Sequence, residues 1–188
     1  MYNLRPPQPK YSKTWDVEIV LRYLRSMELN DKLTLKALSQ KLALLFALVE
    51  ASRSSELQAL DLRFRVYKPE GVRFQLPTLT KKRKVGTPPK ELFFTAFPSD
   101  KKLCPVACLR EYEKRTEDKR SSSKKEPRPL FLSYVKPYKP VTSQRVAHWI
   151  KEFLDLAGVD TSEFGTHSVR GASTTAALKN GVGLDLIL

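Results

Sequence analysis

The sequence predicts an α+β fold that is mostly helical and carries a small three-stranded antiparallel sheet. Apolar residues recur at helical spacing near both ends of the chain, and segments that alternate polar and apolar residues lie between them. The 188 residues, 41% of them hydrophobic, are enough for one domain with a substantial core. We divide the chain into an extended, proline-rich linker at residues 1–13 and a single domain at residues 14–188.

Two helices are predicted before the sheet. We expect Thr14 to cap the first, whose apolar stripe is Val17, Val20, Leu21 and Leu24. The second begins near Thr34, and its second half is apolar nearly all round, which predicts a central place in the core. The pattern continues helically through residues 51–62, so Arg53 follows directly after the most buried stretch.

The sheet is predicted from a change of period between residues 63 and 97. "RFRVY" and "VRFQL" alternate polar and apolar residues around the turn "KPEG", which is typical of a hairpin. We expect basic residues on one face and Phe64, Val66, Val72, Phe74 and Leu76 on the other. The basic loop "TLTKKRKVGTPPK" follows, and "ELFFTAF" is the third strand.

Three further helices are predicted after the sheet. The first has Pro105 in its first turn, and the second is capped by Thr142 and ended by Gly158. The second is expected to direct Val146, Trp149, Ile150, Phe153 and Ala157 inward. The third contains His167 and Arg170 and ends near residues 180–181, and its small residues are expected to allow close packing: Gly171, Ala172, Ser173, Ala176 and Ala177. The two cysteines, Cys104 and Cys108, favour reduced thiols on a helix over half of a zinc site.

The charge favours a polyanionic partner. The formal net charge is +14, and residues 63–90 hold nine basic residues and one acidic residue, a net +8. A solvated charged face would more often intersperse both signs, so this window is interpreted as a dedicated nucleic-acid patch. Its predicted DNA contacts are Arg63, Arg65, Arg73, Lys82, Arg83 and Lys84. No membrane span and no small-molecule substrate are expected.

Three residues are candidates for a phosphate site. His167 and Arg170 share one helix face in a first turn, where free N–H groups favour an anion. The alternative is a surface histidine beside an arginine paired with a carboxylate such as Glu163. Arg53, placed after a buried segment, points to a functional cleft or to a local ion pair with Glu56.

These motifs together resemble the tyrosine recombinase (phage integrase) family. "ALVEASRSSELQALDL" resembles its first motif, Arg-x-x-Glu-Leu, and "THSVRGAST" resembles its second, His-x-x-Arg. "LPTLTKKRKVGTPPKELFF", "LCPVACLREY" and "HWIKEFLDLAGVD" are similar to the branch encoded by DIRS-type retrotransposons and related eukaryotic mobile elements. The resemblance runs from about Arg5 to the last residue.

The resemblance implies DNA strand cleavage and rejoining through a 3′-phosphotyrosine, without a metal or a nucleotide cofactor. Arg53 and Arg170 would clamp the scissile phosphate, and His167 would assist as a proton carrier. Lys81 would protonate the departing 5′ oxygen, with Lys82 or Lys84 as rivals for that role. The implied partner is double-stranded DNA, with a possible homo-oligomer on DNA and a nuclear location, for which "KKRK" is a weak import signal.

One departure from the family concerns the nucleophile. The family places a His or Trp and then the nucleophilic tyrosine after the second arginine, but residues 171–188 contain no Tyr, Trp or His. We therefore expect a catalytic domain that is incomplete at its C-terminus and inactive alone. The alternatives are a non-catalytic DNA-binding remnant or domesticated transposon protein, and a basic domain that binds RNA or an acidic protein.

Overall fold

The computed structural model describes residues 14–76, 88–120 and 126–179. Six α-helices, three short 3-10 helices and three strands lie in these ranges. The helices are α1 (Val17–Ser26), α2 (Leu35–Val49), α3 (Ser54–Gln58), α4 (Pro105–Thr116), α5 (Ser143–Leu156) and α6 (Ser168–Lys179). The strands are β1 (Arg65–Lys68), β2 (Gly71–Gln75) and β3 (Glu91–Thr95). The predicted α+β class with a three-stranded antiparallel sheet is confirmed.

Helix α2 is the centre of the core, as its sequence predicts. Every residue from Leu38 to Leu48 is buried, and α4, α5 and α6 pack around the helix. The predicted cap is also confirmed, since Thr34 Oγ1 accepts a hydrogen bond from the N–H of Ala37 at 3.2 Å. The sheet closes one side of this core, where Phe46 of α2 stacks on Phe94 of β3 at 3.7 Å between ring centroids.

The predicted start of α1 is wrong by two residues. The N-cap is Asp16, not Thr14, and its Oδ1 accepts a hydrogen bond from the N–H of Glu18 at 3.1 Å. An aspartate satisfies the free N–H groups of a first turn as well as threonine does and adds a favourable charge there. Val20 and Leu24 are buried as predicted.

The helical pattern does not continue from α2 into α3, so this prediction is wrong. Glu50 caps the end of α2, Ala51 has a φ of 48°, and α3 begins only at Ser54. The residue with positive φ turns the chain out of the helix axis. Arg53 consequently lies at the N-cap of α3, with 59% of its side chain exposed, and not inside a helix.

The hairpin is present, but the predicted face of β1 is wrong. Val66 pairs with Arg73, while Arg65 and Tyr67 pair with Phe74 and Val72. Directly opposed residues in an antiparallel pair point to the same face, so Arg65 and Tyr67 lie on the core side. Val66 lies on the outer face and is 45% exposed. The two-residue loop between Lys68 and Gly71 fixes this register, and register decides the face of every residue in a strand.

The helices after the sheet follow their sequence signals. Pro105 is at the start of α4, Thr142 Oγ1 caps α5 by accepting from the N–H of Arg145 at 3.2 Å, and Gly158 ends α5 with a φ of 92°. Cys104 and Cys108 are buried free thiols, and burial raises the pKa of Cys108 to about 12. Within the described ranges no cluster of three or more His, Cys, Asp or Glu side chains is placed to hold a metal ion. Those ranges also contain no helix with the length and apolar character needed to cross a membrane.

Lys41 is an unpredicted feature of the core. Its side chain is fully buried in the middle of α2, and among the described residues its Nζ has no hydrogen-bond partner. Burial lowers the pKa of the Lys41 ammonium, because a charged group loses its hydration there.

We expect Lys41→Met to raise the free energy of unfolding by about 1–3 kcal/mol at neutral pH, because it removes a buried polar group without hydrogen bonds. The unfolded wild type binds a proton that its folded form holds less tightly, so wild-type stability rises as pH increases toward the usual lysine pKa. That rise should be smaller in the variant. Chemical denaturation across pH measures both effects. Lys151→Met on the exposed side of α5 is the control, and equal effects of the two substitutions would contradict the interpretation.

Ala51→Gly is expected to raise the free energy of unfolding by about 1 kcal/mol, because an alanine at positive φ is strained and a glycine is not. Ala147→Gly, in the middle of α5, should lower it by a similar amount because the backbone there is helical. Thermal or urea denaturation of both variants tests whether the two changes in the free energy of unfolding have opposite signs.

Candidate functional site

An open cleft of about 650 Å³ lies where the end of α2, the start of β3 and the start of α6 meet. Its charged and titratable lining residues are Glu50, Glu56, Lys90, Glu91, His167 and Arg170. The cleft therefore brings together two of the predicted site residues, His167 and Arg170, with a lysine and three carboxylates.

The core fixes the start of α6 at the wall of this cleft. Val169 and Ala172 are buried in the core cluster, and the buried Ser168 accepts a hydrogen bond from Trp15 Nε1 at 2.9 Å. Thr166 Oγ1 donates to the carbonyl of Ala147 at 2.9 Å, which holds the preceding turn against α5. With one face of α6 held in this way, His167 and Arg170 are exposed and line the cleft.

His167 and Arg170 occupy the N-terminal end of α6, although His167 precedes its first residue instead of lying inside it. Among the described residues neither side chain has a hydrogen-bond partner, and no carboxylate, Glu163 included, lies within 4.0 Å of the Arg170 guanidinium. The predicted close packing holds for the buried Ala172. It does not hold for Gly171, which is exposed and whose added Cβ would meet its nearest neighbour only at 3.9 Å.

Arg53 does not itself line the cleft, but it is bound to Glu56, which does. The backbone N–H of Arg53 donates to Glu56 Oε2 at 3.0 Å, and the Arg53 guanidinium lies 3.6 Å from Glu56 Oε1. The local ion pair that the sequence offered as an alternative is therefore present. The guanidinium remains mostly exposed, so this pairing leaves Arg53 accessible to a ligand.

Lys90 is the second cation held by Glu56, and no sequence motif identified it as a site residue. Its Nζ donates to Glu56 Oε1 at 2.6 Å. Burial raises the pKa of the Glu56 carboxyl, but the hydrogen bonds from Lys90 and from the Arg53 N–H outweigh burial and hold the pKa below its usual value. The sequence signal that could have identified Lys90 is its position as the last basic residue of the net +8 window, directly before β3. Lys81, Lys82, Arg83 and Lys84 lie outside the described residues.

The other predicted DNA contacts pair with acidic side chains. Arg63 binds Asp61 at 2.9 Å, Arg73 lies 3.4 Å from Glu91, and Arg65 pairs with Glu113 of α4. Arg65 also stacks over the ring of Tyr67, with its guanidinium carbon 4.8 Å from the ring centroid. These pairs give Arg63, Arg65 and Arg73 structural roles, and their contact with DNA stays a prediction.

Two solved structures share this architecture. The fold is that of site-specific recombinases. The XerH site-specific recombinase bound to its difH substrate in a pre-cleavage complex matches with a TM-score of 0.67 and 14% identity, over 100% of this chain and 49% of that one. The XerA recombinase matches with a TM-score of 0.62 and 16% identity, over 99% of this chain and 57% of that one. This chain thus spans about half the length of the structures it matches. No protein-family model and no curated protein matches it.

Glu56→Gln is expected to lower the free energy of unfolding by about 1–2 kcal/mol at neutral pH, because a charged acceptor is lost and Lys90 is only partly shielded from solvent. The folded pKa of Glu56 lies below its unfolded value, so the stabilisation is present above the unfolded pKa and is lost as pH falls through the folded pKa. The two proteins should converge in acid. Urea denaturation across pH tests this, with the exposed Glu163→Gln as a charge-matched control. A constant difference at all pH values would contradict it.

Proposed function

We propose that this domain binds double-stranded DNA and holds one backbone phosphate in the cleft, as the phosphate-activating part of a site-specific recombinase. The observation that carries the proposal is the placement of His167 and Arg170. Both lie at the N-terminal end of α6, both line the cleft, and among the described residues neither has a partner for its side chain. An unpaired guanidinium at a helix N-terminus is suited to binding a phosphate through two parallel hydrogen bonds.

The other cations extend this site. Lys90 and Arg53 share the single carboxylate of Glu56, so the trio keeps a net positive charge beside Arg170. A phosphate would be met by the forked donors of Arg170 and Arg53, while Lys90 and His167 supply donors for its remaining oxygens. Cations already fixed where charge develops stabilise a phosphoryl transition state without further reorganisation.

Charge and fold favour DNA as the ligand. The formal net charge of +14 favours a polyanion, and the matched XerH recombinase is a complex with its difH substrate. The site-specific recombinase fold and the recombinase-like motifs make DNA a better candidate than RNA or an acidic protein. We extend the proposal to an origin in a DIRS-type mobile element, to assembly on DNA and to a nuclear location.

The second candidate function is a non-catalytic DNA-binding domain. It uses the same cleft and the same cations, which would hold a backbone phosphate whether or not a covalent step follows. The two candidates differ only in the covalent step. A nicked DNA substrate that traps cleavage, followed by a denaturing gel, separates them: a protein–DNA band supports the recombinase, and unmodified protein supports the binding domain.

We expect Arg170→Ala to weaken binding of a short DNA duplex by about 1.5–3 kcal/mol, the range for a charged hydrogen bond. Wild-type affinity should also fall steeply with salt, because phosphate contacts release counterions. Fluorescence anisotropy at several salt concentrations measures both. Arg22→Ala, an exposed arginine of α1 outside the cleft, is the charge-matched control. A flat salt response, or tighter binding of a length-matched RNA duplex, would contradict the proposal.

A further inference from the structure

Glu50 is a cleft residue that neither the motifs nor the proposed phosphate clamp explains. It is the C-cap of α2, and its carboxyl Oε1 accepts a hydrogen bond from the backbone N–H of Phe93 at 2.6 Å. β3 is an edge strand of the described sheet, and its outward N–H groups need partners from elsewhere. One side chain therefore ties the end of α2 to the middle of β3, three residues after Lys90.

The three carboxylates of the cleft differ in their cation partners. Glu56 pairs with Lys90 at 2.6 Å and Arg53 at 3.6 Å, and Glu91 pairs with Arg73 at 3.4 Å. Among the described residues no cation lies within 4.0 Å of Glu50, and its Oε2 has no hydrogen-bond partner there. Glu50 is therefore the carboxylate of the cleft that would face an incoming phosphate without a cation in direct contact.

We propose that Glu50 takes up a proton from solvent when a phosphate enters the cleft, and that its Oε2–H then donates a hydrogen bond to a phosphate oxygen. This inference rests on the proposed function of the cleft. Protonation removes the repulsion between two anions and turns an acceptor into a donor, while Oε1 keeps its bond to the Phe93 N–H. The one covalent bond formed is the O–H bond of the carboxyl, and the bond broken is the one that held the proton on hydronium or a buffer acid in the solvent.

The electrostatic surroundings of Glu50 favour this protonation. Burial raises the pKa of the Glu50 carboxyl, and the Phe93 N–H and the nearby Lys90 offset only part of that rise. The groups that share the cleft with it are Glu56 of α3, Lys90 and Glu91 at the start of β3, and His167 and Arg170 at α6. A phosphate adds negative charge to this set and raises the proton affinity of Glu50 further.

The test is the pH dependence of duplex binding at constant ionic strength. Glu50→Gln mimics the protonated carboxyl and retains an acceptor for the Phe93 N–H. It should bind a short labelled duplex roughly tenfold more tightly than the wild type at mildly alkaline pH, and the two should converge in acid. Glu91→Gln removes the same charge from the same cleft, but Glu91 is already paired, so its binding should keep the wild-type pH profile. The comparison is repeated with His167→Asn in both backgrounds, so that the effect of Glu50 is also measured without the histidine side chain of the cleft.

A second measurement distinguishes the proposed protonation of Glu50 from its structural hydrogen bond with the Phe93 N–H. The Phe93 amide should exchange with solvent faster in Glu50→Ala than in the wild type, and Glu50→Gln should protect it. A wild type that binds no duplex overturns the proposed function and the inference with it. Wild-type binding that depends on Arg170 but has the same pH profile as Glu50→Gln overturns the inference alone.

Discussion

The carboxylate of Glu56 is the interaction on which the candidate site depends. It is buried, with only 8% of its side chain exposed, yet it is charged because it accepts hydrogen bonds from Lys90 Nζ and from the backbone of Arg53. A buried carboxylate is stable only when its lone pairs are satisfied, so the two donors and the acceptor define one another's positions. Through this one group, α3 and the start of β3 are held in a fixed relation at one wall of the cleft.

The opposite wall is held by apolar burial and by hydroxyl groups. α6 is built mostly from small side chains, and its anchors are Val169, Ala172 and the hydroxyl of Ser168, which bonds to Trp15. A helix that places so little apolar surface in the core relies on specific hydrogen bonds for its position. The exposed face of α6 carries Arg170, whose guanidinium is available to a ligand because no carboxylate in the described structure forms an ion pair with it.

The cleft combines hydrogen-bond donors for a phosphate with three carboxylates, which is more negative charge than a site for an anion would be expected to hold. Glu56 organises cations, Glu91 belongs to an ion pair with Arg73, and Glu50 holds an edge strand. Each carboxylate thus has a structural reason to be present. Together they make the cleft sensitive to protonation in a way that a purely basic groove would not be.

The sequence by itself determined the fold class, the order of the elements and the central helix α2. It also determined that His167 and Arg170 lie together at a helix terminus. These follow from periodicity, capping residues and spacing, which are local properties of the chain. It offered the ion pair of Arg53 with Glu56 as one of two alternatives, and that pair is present in the structure. It missed the break at Ala51, because a positive φ in an alanine has no sequence signal.

Only the tertiary structure decided the face of β1 and the roles of Lys90 and Glu50. The hairpin register put Arg65 and Tyr67 on the core side, where α4 supplies Glu113 to both. Lys90 meets Glu56 across 34 residues of chain, and Glu50 meets Phe93 across 43. Contacts over such distances depend on how the elements pack, and packing is set by the whole core rather than by any local pattern.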